Sequence, residues 1–188
     1  MTEEKRASTP ARPVIVAIHG PNLNLLGARE PHIYGRTTLG QIDDDLRTHG
    51  QELGVVVETF QSNHEGALID RVQQANGNAA GLIVNAGGLT HTSVSLRDAV
   101  AAIKVPTIEV HLSNLYMREE FRHRSLLAPV CLGQIAGLGA IGYRLALDAL
   151  ARLVLGQRPG EGASPGSSYS FHSKSRVATS FKKGAAKK

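Results

Sequence analysis

Five short apolar runs, separated by segments of helical spacing or dense in turn residues, constrain this chain more than any other feature. They are Val14 to Ile18, Val55 to Phe60, Gly81 to Val84, Pro106 to His111 and Val130 to Leu132. Each is short enough for a strand, and runs of this kind mark strands covered on both faces. Between them helical spacing recurs. Leu39, Ile42, Leu46 and Leu53 follow a cap at Thr37 or Thr38, and Leu68, Ile69 and Val72 follow Asn63-His64-Glu65-Gly66 and stop near Asn76-Gly77-Asn78. A third helix is predicted from about Val94 to Ile103 and a last, amphipathic one from Ala140 to Leu155. No internal repeat is evident.

Strand and helix alternating in this way predict a parallel sheet with helices on both faces. The expected fold is α/β: a flavodoxin-like three-layer sandwich on a five-stranded parallel sheet of order 2-1-3-4-5. In such sheets ligands sit outside the carboxyl ends of the strands, where the order reverses between strands one and three. The chemistry-bearing residues fall on that edge. His19 to Tyr34 follow strand one, Gln61 to Glu65 strand two, Asn85 to Ser93 strand three and His111 to Asn114 strand four.

The stretch from Ile18 to Gly35 is too rich in Gly, Pro and Asn to be a helix or a strand. A loop this long in a compact domain is uncommon unless it binds or covers something. Arg29, Tyr34 and two asparagines lie between glycines able to act as hinges, which suits a catalytic lid; a surface loop with an incidental Arg and Tyr is the alternative.

Charge and composition narrow the class. Of the 21 Lys and Arg residues, seven lie from Gln157 onward and three before Val14, leaving eleven against thirteen acids between them. The net charge of +5 therefore belongs to the ends, and the folded part carries no basic footprint for nucleic acid. Three regions are expected: a disordered extension over 1–12, one catalytic domain over 13–156, and a disordered basic tail over 157–188. No long apolar run is free of polar interruption and no apolar signal core follows the polar start, so no membrane partner and a cytoplasmic location are expected. The single cysteine, Cys131, excludes an intrachain disulfide and reads as an inert thiol in a buried strand.

Several motifs compete for the chemistry. Gly137-Leu138-Gly139-Ala140-Ile141-Gly142 has dinucleotide-loop spacing but follows the last strand, with no βαβ unit after it; close packing at a helix start or against a neighbouring subunit fits better. Asn85-Ala86-Gly87-Gly88 could cradle a phosphate or a carboxylate, or simply turn the chain. The body holds one lysine, Lys104, at the opposite end of the sheet, which counts against a P-loop or an imine enzyme. Glu109 and His111 alternate on one strand and so share a face, as a carboxylate that orients an imidazole must. With His91 and Asp98 they could also ligate a metal; the absence of HExxH spacing and of a Cys/His cluster favours acid–base work, and a structural ion pair stays open. Arg118 and Arg122, four apart, could clamp an anion from one helical face or be solvated partners of Glu119 and Glu120. His32, His49, His64 and His123 read as surface or capping residues, and His19 as packed beneath the lid.

Taken together, these segments closely resemble the type II 3-dehydroquinate dehydratases. The matching motifs are His19-Gly20-Pro21-Asn22-Leu23-Asn24-Leu25-Leu26-Gly27 with Arg29-Glu30-Pro31 and Tyr34-Gly35; Gln61-Ser62-Asn63-His64-Glu65-Gly66; Asn85 to Ser93 with Leu96-Arg97-Asp98-Ala99; and Glu109-Val110-His111-Leu112-Ser113-Asn114 with Arg118-Glu119-Glu120-Phe121-Arg122. They span about Val14 to Leu155 in the family's order.

The resemblance implies anti elimination of water from 3-dehydroquinate to 3-dehydroshikimate, through an enolate and without cofactor or metal, in the shikimate pathway. Carried over by motif, Tyr34 is the base, Arg29 stabilises developing charge, and His111, oriented by Glu109, protonates the leaving hydroxyl. Asn22 helps hold a water against the enolate. Asn85, His91, Arg122, Leu112 and Ser113 bind substrate, and Asp98 reaches an adjacent subunit's site in a dodecamer of four trimers.

Overall fold

The computed structural model describes residues 11–28 and 37–156. Residues 29–35 of the expected lid, with Arg29, His32 and Tyr34, lie outside the described residues, as do the expected disordered ends over 1–12 and 157–188 apart from residues 11 and 12. The elements run β1 (Val14–His19), α1 (Leu39–Leu53), β2 (Val56–Gln61), α2 (Glu65–Ala75), β3 (Gly81–Asn85), a one-turn α3 (Leu89–Thr92), α4 (Val94–Ala102), β4 (Thr107–His111), β5 (Gly133–Ala136) and α5 (Ile141–Val154). All four strand pairings are parallel and the order is β2-β1-β3-β4-β5. This is the expected sheet. Among the described residues no helix is long and apolar enough to cross a membrane.

Strand parity sorts the core into two layers. Ile15, Ala17, Ile83, Ile108 and Val110 face α1 and α5, packing on Leu46, Leu147 and Leu150. Val16, Ile18, Leu82 and Val84 face α2 and α4, packing on Leu68, Val72, Leu96 and Val100. Because side chains alternate along a strand, Glu109 and His111 belong to the α2/α4 face, while His19 and Asn85 belong to the α1/α5 face. Register then brings them to one edge: His19 lies opposite Asn85, each at the carboxyl end of its strand.

Local chemistry explains the element ends. Thr38 caps α1 through a reciprocal box: its hydroxyl accepts from Gln41 N at 3.2 Å and its own N–H donates to Gln41 Oε1 at 2.9 Å. Gly54 closes that helix in the left-handed conformation at φ 82°. Gly20 lets the loop after β1 touch the loop after β3, since a Cβ there would lie 2.4 Å from Ala86 O.

Two placements differ from expectation. Strand five is not 130–132 but Gly133–Ala136, because Pro129 sits in a 3-10 turn over Ala128–Val130 that precedes it. The true strand is an edge strand, exposed or half-buried throughout, so it lacks the continuous apolar run of the inner strands. Val130 and Cys131 pack against the α2/α4 core from the turn instead. Burial, and then the charge of Glu109, push the Cys131 thiol up to about 12, which keeps it protonated and unreactive. The second difference lies at Arg118 and Arg122, which occupy no common helix: Arg118 follows the 3-10 turn Leu115–Met117 and Arg122 closes the next, Glu120–Arg122.

The Gly137 to Gly142 motif packs as expected within the chain. Gly137, at φ 87°, would bring a Cβ to 3.2 Å from Asn114 Cα, and Gly142 of α5 lies against Ile135 and Val110.

Candidate active site

The carboxyl edge of the sheet opens into a cleft of about 230 Å³. Asn22, Asn85, His91, His111, Leu112, Ser113 and Arg122 line it, so seven of the expected site residues meet there. Arg118, Glu119 and the backbone of Gly87 and Gly88 complete the polar part, and Leu23 and Leu26 supply an apolar wall. Glu109 stands behind His111, and Asp98 lies elsewhere on the surface, paired with Arg97 at 2.6 Å.

His111 is held from beneath. Its Nε2 lies 2.6 Å from Glu109 Oε1, which leaves Nδ1 as the nitrogen available to a ligand. Glu109 is wholly buried and would be costly there alone. Ser125 provides the second partner, its hydroxyl donating to Glu109 Oε1 and Oε2 at 2.8 and 3.0 Å. The same hydroxyl accepts from Leu127 N and Ala128 N, so its geometry is set by the backbone of a turn. Nothing in the local sequence singles out Ser125; it enters through a loop sixteen residues from Glu109.

Across the cleft, His91 donates from Nδ1 to Arg124 O at 2.8 Å, which leaves Nε2 as its acceptor. Its ring stacks at 6.4 Å from that of His111. Asn22 adopts φ 67°, the one non-glycine residue with positive φ among those described, and its N–H donates to Asn63 Oδ1 at 2.9 Å. An asparagine tolerates this conformation better than most residues, and strained backbone of this kind clusters at functional sites.

The arginines pair with an acid, as one of the two readings expected, and they also line the cleft. Arg118 and Arg122 line the cleft, and both pair with Glu119, Arg122 Nε at 2.9 Å and Arg118 Nε at 3.4 Å. Its own backbone N–H, and then the Arg122 and Arg118 guanidinium groups, hold the exposed Glu119 carboxyl below its usual range against a smaller opposing effect of desolvation. The alternative metal set is not assembled, because Asp98 lies outside the cleft and Glu109 is engaged by His111 and Ser125.

Three of the expected surface histidines behave differently from one another. His64 starts α2 without a side-chain cap, and His123 is exposed, with Nε2 donating to Arg118 O at 3.0 Å. His49 is largely buried between α1 and α5, 2.7 Å from Asp148 and 3.0 Å from Glu52. His19 is wholly buried, with Nδ1 3.1 Å from the Tyr143 hydroxyl. Asp43 and Tyr143, its partners, were not singled out by sequence. A signal existed for Asp43, which interrupts the apolar stripe of α1 between Leu39 and Leu46.

A parallel sheet of this order with imidazole, amide and guanidinium groups gathered at its carboxyl edge defines an α/β protein of the flavodoxin-like class bearing an acid–base site. Residues 13–151 match the family model described as Dehydroquinase class II, and the chain belongs to that family. It is 56% identical over 137 residues to the 3-dehydroquinate dehydratase of Ruegeria pomeroyi, covering 73% of this chain and 92% of that one. It is 53% identical over 137 residues to the catabolic 3-dehydroquinase of Aspergillus clavatus, covering 73% and 91%. Among solved structures it resembles the type II dehydroquinase of Butyrivibrio crossotus, with a TM-score of 0.73, 45% identity and coverage of 74% and 97%.

Proposed function

We propose that this chain is a hydro-lyase that removes water from 3-dehydroquinate to give 3-dehydroshikimate by anti elimination through an enolate. The observation that carries the reading is the buried Glu109–His111 pair, 2.6 Å apart, opening onto a cleft lined by Asn85, His91 and Arg122. Membership of a family whose relatives carry the dehydratase name supports it.

In this mechanism Tyr34 takes the proton beside the ketone, and the electron pair of that C–H bond becomes the enolate. A tyrosine hydroxyl ordinarily titrates at about pH 10, and a neighbouring cation favours its phenolate; Arg29, five residues away in sequence, fills that role. The enolate then collapses, expelling the β-hydroxyl, and His111 gives that group its proton so that it leaves as water. Glu109 fixes the imidazole with Nδ1 toward the cleft. Asn22 helps hold a water against the enolate, Asn85, His91 and the Leu112-Ser113 backbone bind hydroxyls, and Arg122 meets the carboxylate. No cofactor or metal takes part.

The assembly is a dodecamer of four trimers, in which Asp98, exposed and outside its own chain's cleft, reaches a neighbouring site. The enzyme works in the cytoplasm, on the shikimate pathway to aromatic amino acids, with no nucleic-acid partner; residues 13–156 form the catalytic domain.

Absorbance of the conjugated enone product, followed when purified protein meets 3-dehydroquinate, tests the reading. Signal is expected and should survive chelation. No signal would favour a binding module that keeps the anion site without chemistry, and loss on chelation would favour a metal hydro-lyase. Tyr34→Phe and Arg29→Ala should each abolish turnover with the assembly intact; wild-type-like activity in either would sink the lid mechanism.

A further inference from the structure

We propose that Asp43, His19 and Tyr143 form a buried chain that fixes which way the Asn85 side-chain amide faces in the cleft, and so act as positioning residues for substrate binding. The inference rests on reading the cleft as the 3-dehydroquinate site.

The Asn85 amide is gripped at both ends. Its Oδ1 accepts from Gly87 N at 3.2 Å, and its Nδ2 donates to the Tyr143 hydroxyl at 3.0 Å. An amide nitrogen can only donate, so the hydroxyl must accept from it and send its single proton elsewhere. His19 Nδ1, 3.1 Å away, is the acceptor. That assignment requires a neutral imidazole protonated on Nε2. Asp43 supplies the reason for this tautomer: its Oδ1 stands 3.0 Å from Nε2, a charge contact that lies off the ideal hydrogen-bond direction. Every link then has one sense, from Asn85 to Tyr143 to His19, with Asp43 selecting the tautomer.

Burial makes that sense matter. His19 and Tyr143 are wholly buried and Asn85 is 3% exposed. With solvent excluded, an inverted amide would set its NH₂ against the Gly87 N–H, two donors with no acceptor between them. The hydroxyl stays protonated, since burial drives the Tyr143 phenol well above its usual range. What remains for the cleft is the second N–H of Asn85 Nδ2 and the second lone pair of Oδ1, presented in a fixed orientation. Two acid–histidine pairs thereby serve one cleft from opposite faces of the sheet: Glu109–His111 touches the reacting group, and Asp43–His19 acts through Tyr143 and Asn85.

The test uses the full chain and four variants, Tyr143→Phe, His19→Leu, His19→Asn and the double variant Tyr143→Phe with His19→Leu, with steady-state kinetics on 3-dehydroquinate and side-chain nitrogen NMR of His19 in the wild type. Asparagine places an acceptor oxygen near the position of Nδ1, whereas leucine removes it. Tyr143→Phe and His19→Leu should raise KM about tenfold with kcat within about threefold, the pattern of a lost binding group. His19→Asn should hold KM within about twofold, and the double variant should be no worse than Tyr143→Phe alone, because both act on one amide. The wild-type NMR should report a neutral ring with its proton on Nε2. Wild-type KM in folded Tyr143→Phe or His19→Leu, equal damage from leucine and asparagine at 19, or a proton on Nδ1 would each overturn the proposal. Should Tyr143→Phe fail to fold, the two His19 variants decide. Absence of turnover in the wild type would instead overturn the reading of the substrate, and the NMR result would still judge the chain.

Discussion

At the scale of single residues, the cleft is a set of side chains whose free atoms are chosen by what their other atoms are doing. Glu109 occupies Nε2 of His111, Arg124 O occupies Nδ1 of His91, and Gly87 N and Tyr143 take one hand each of Asn85. His111→Ala should lower kcat by about 10²- to 10⁴-fold with the fold intact, as expected of a lost general acid, measured by the enone signal beside a thermal melt. Ser125→Ala is the sharper experiment. It removes the donor that spans both Glu109 oxygens and strips Leu127 N and Ala128 N of their acceptor. A loss of about 1 to 3 kcal/mol in urea unfolding and about tenfold in kcat is expected, and an unchanged kcat would mean that Glu109 needs no such anchor. Glu109 and His111 could be read from the sequence because strand parity pairs residues two apart. Ser125 could not, since a loop serine has no spacing that announces its partner.

At the scale of elements, the starts of α1 and α4 carry side-chain caps, at Thr38 and Ser93, while the last strand departs from its local signal. The sequence left the cap between Thr37 and Thr38, and the reciprocal bonds with Gln41 place it at Thr38; Thr38→Ala should cost about 1 kcal/mol of stability by chemical denaturation. Strand five was misplaced because an edge strand need not be apolar, whereas the turn beside it buries Val130 and Cys131. The α1–α5 contact carries a pH signature. Burial alone would lower the His49 pKa, but hydrogen bonds to Glu52 and Asp148, and the Asp148 charge, outweigh that and the opposing Arg144, leaving it raised. A raised folded-state value means stability that is complete below the unfolded pKa, about 6.5, and fades as pH climbs through the folded one. The gap in urea midpoint between wild type and His49→Ala should therefore be widest near about pH 5.5 and narrow toward about pH 8.5. A gap that is flat or grows with pH would contradict the assignment.

At the scale of the whole molecule, the sheet holds two cores and a single functional edge. Leu147, wholly buried on the α1/α5 side, anchors the helix that also carries Tyr143. Leu147→Ala should cost about 2 to 5 kcal/mol in unfolding, with a cavity that neighbouring side chains fill only in part. The basic excess lies beyond the matched domain, so a chain ending at Gly156 should turn over 3-dehydroquinate at the rate of the full one; a large loss would give residues 157–188 a part in the enzyme.

Sheet order, the edge where the site lies and most of the groups that line it were legible in the chain before it was folded. Those follow from period-two and period-3.6 patterning and from motifs confined to single loops, all of which act over a few residues. How those groups are held emerged from long-range packing. His19 meets Tyr143 across 124 positions of sequence, and Asp98 turns away from the cleft that its motif neighbour His91 lines. Contacts of that reach depend on which helix covers which face of the sheet, and no local spacing encodes them.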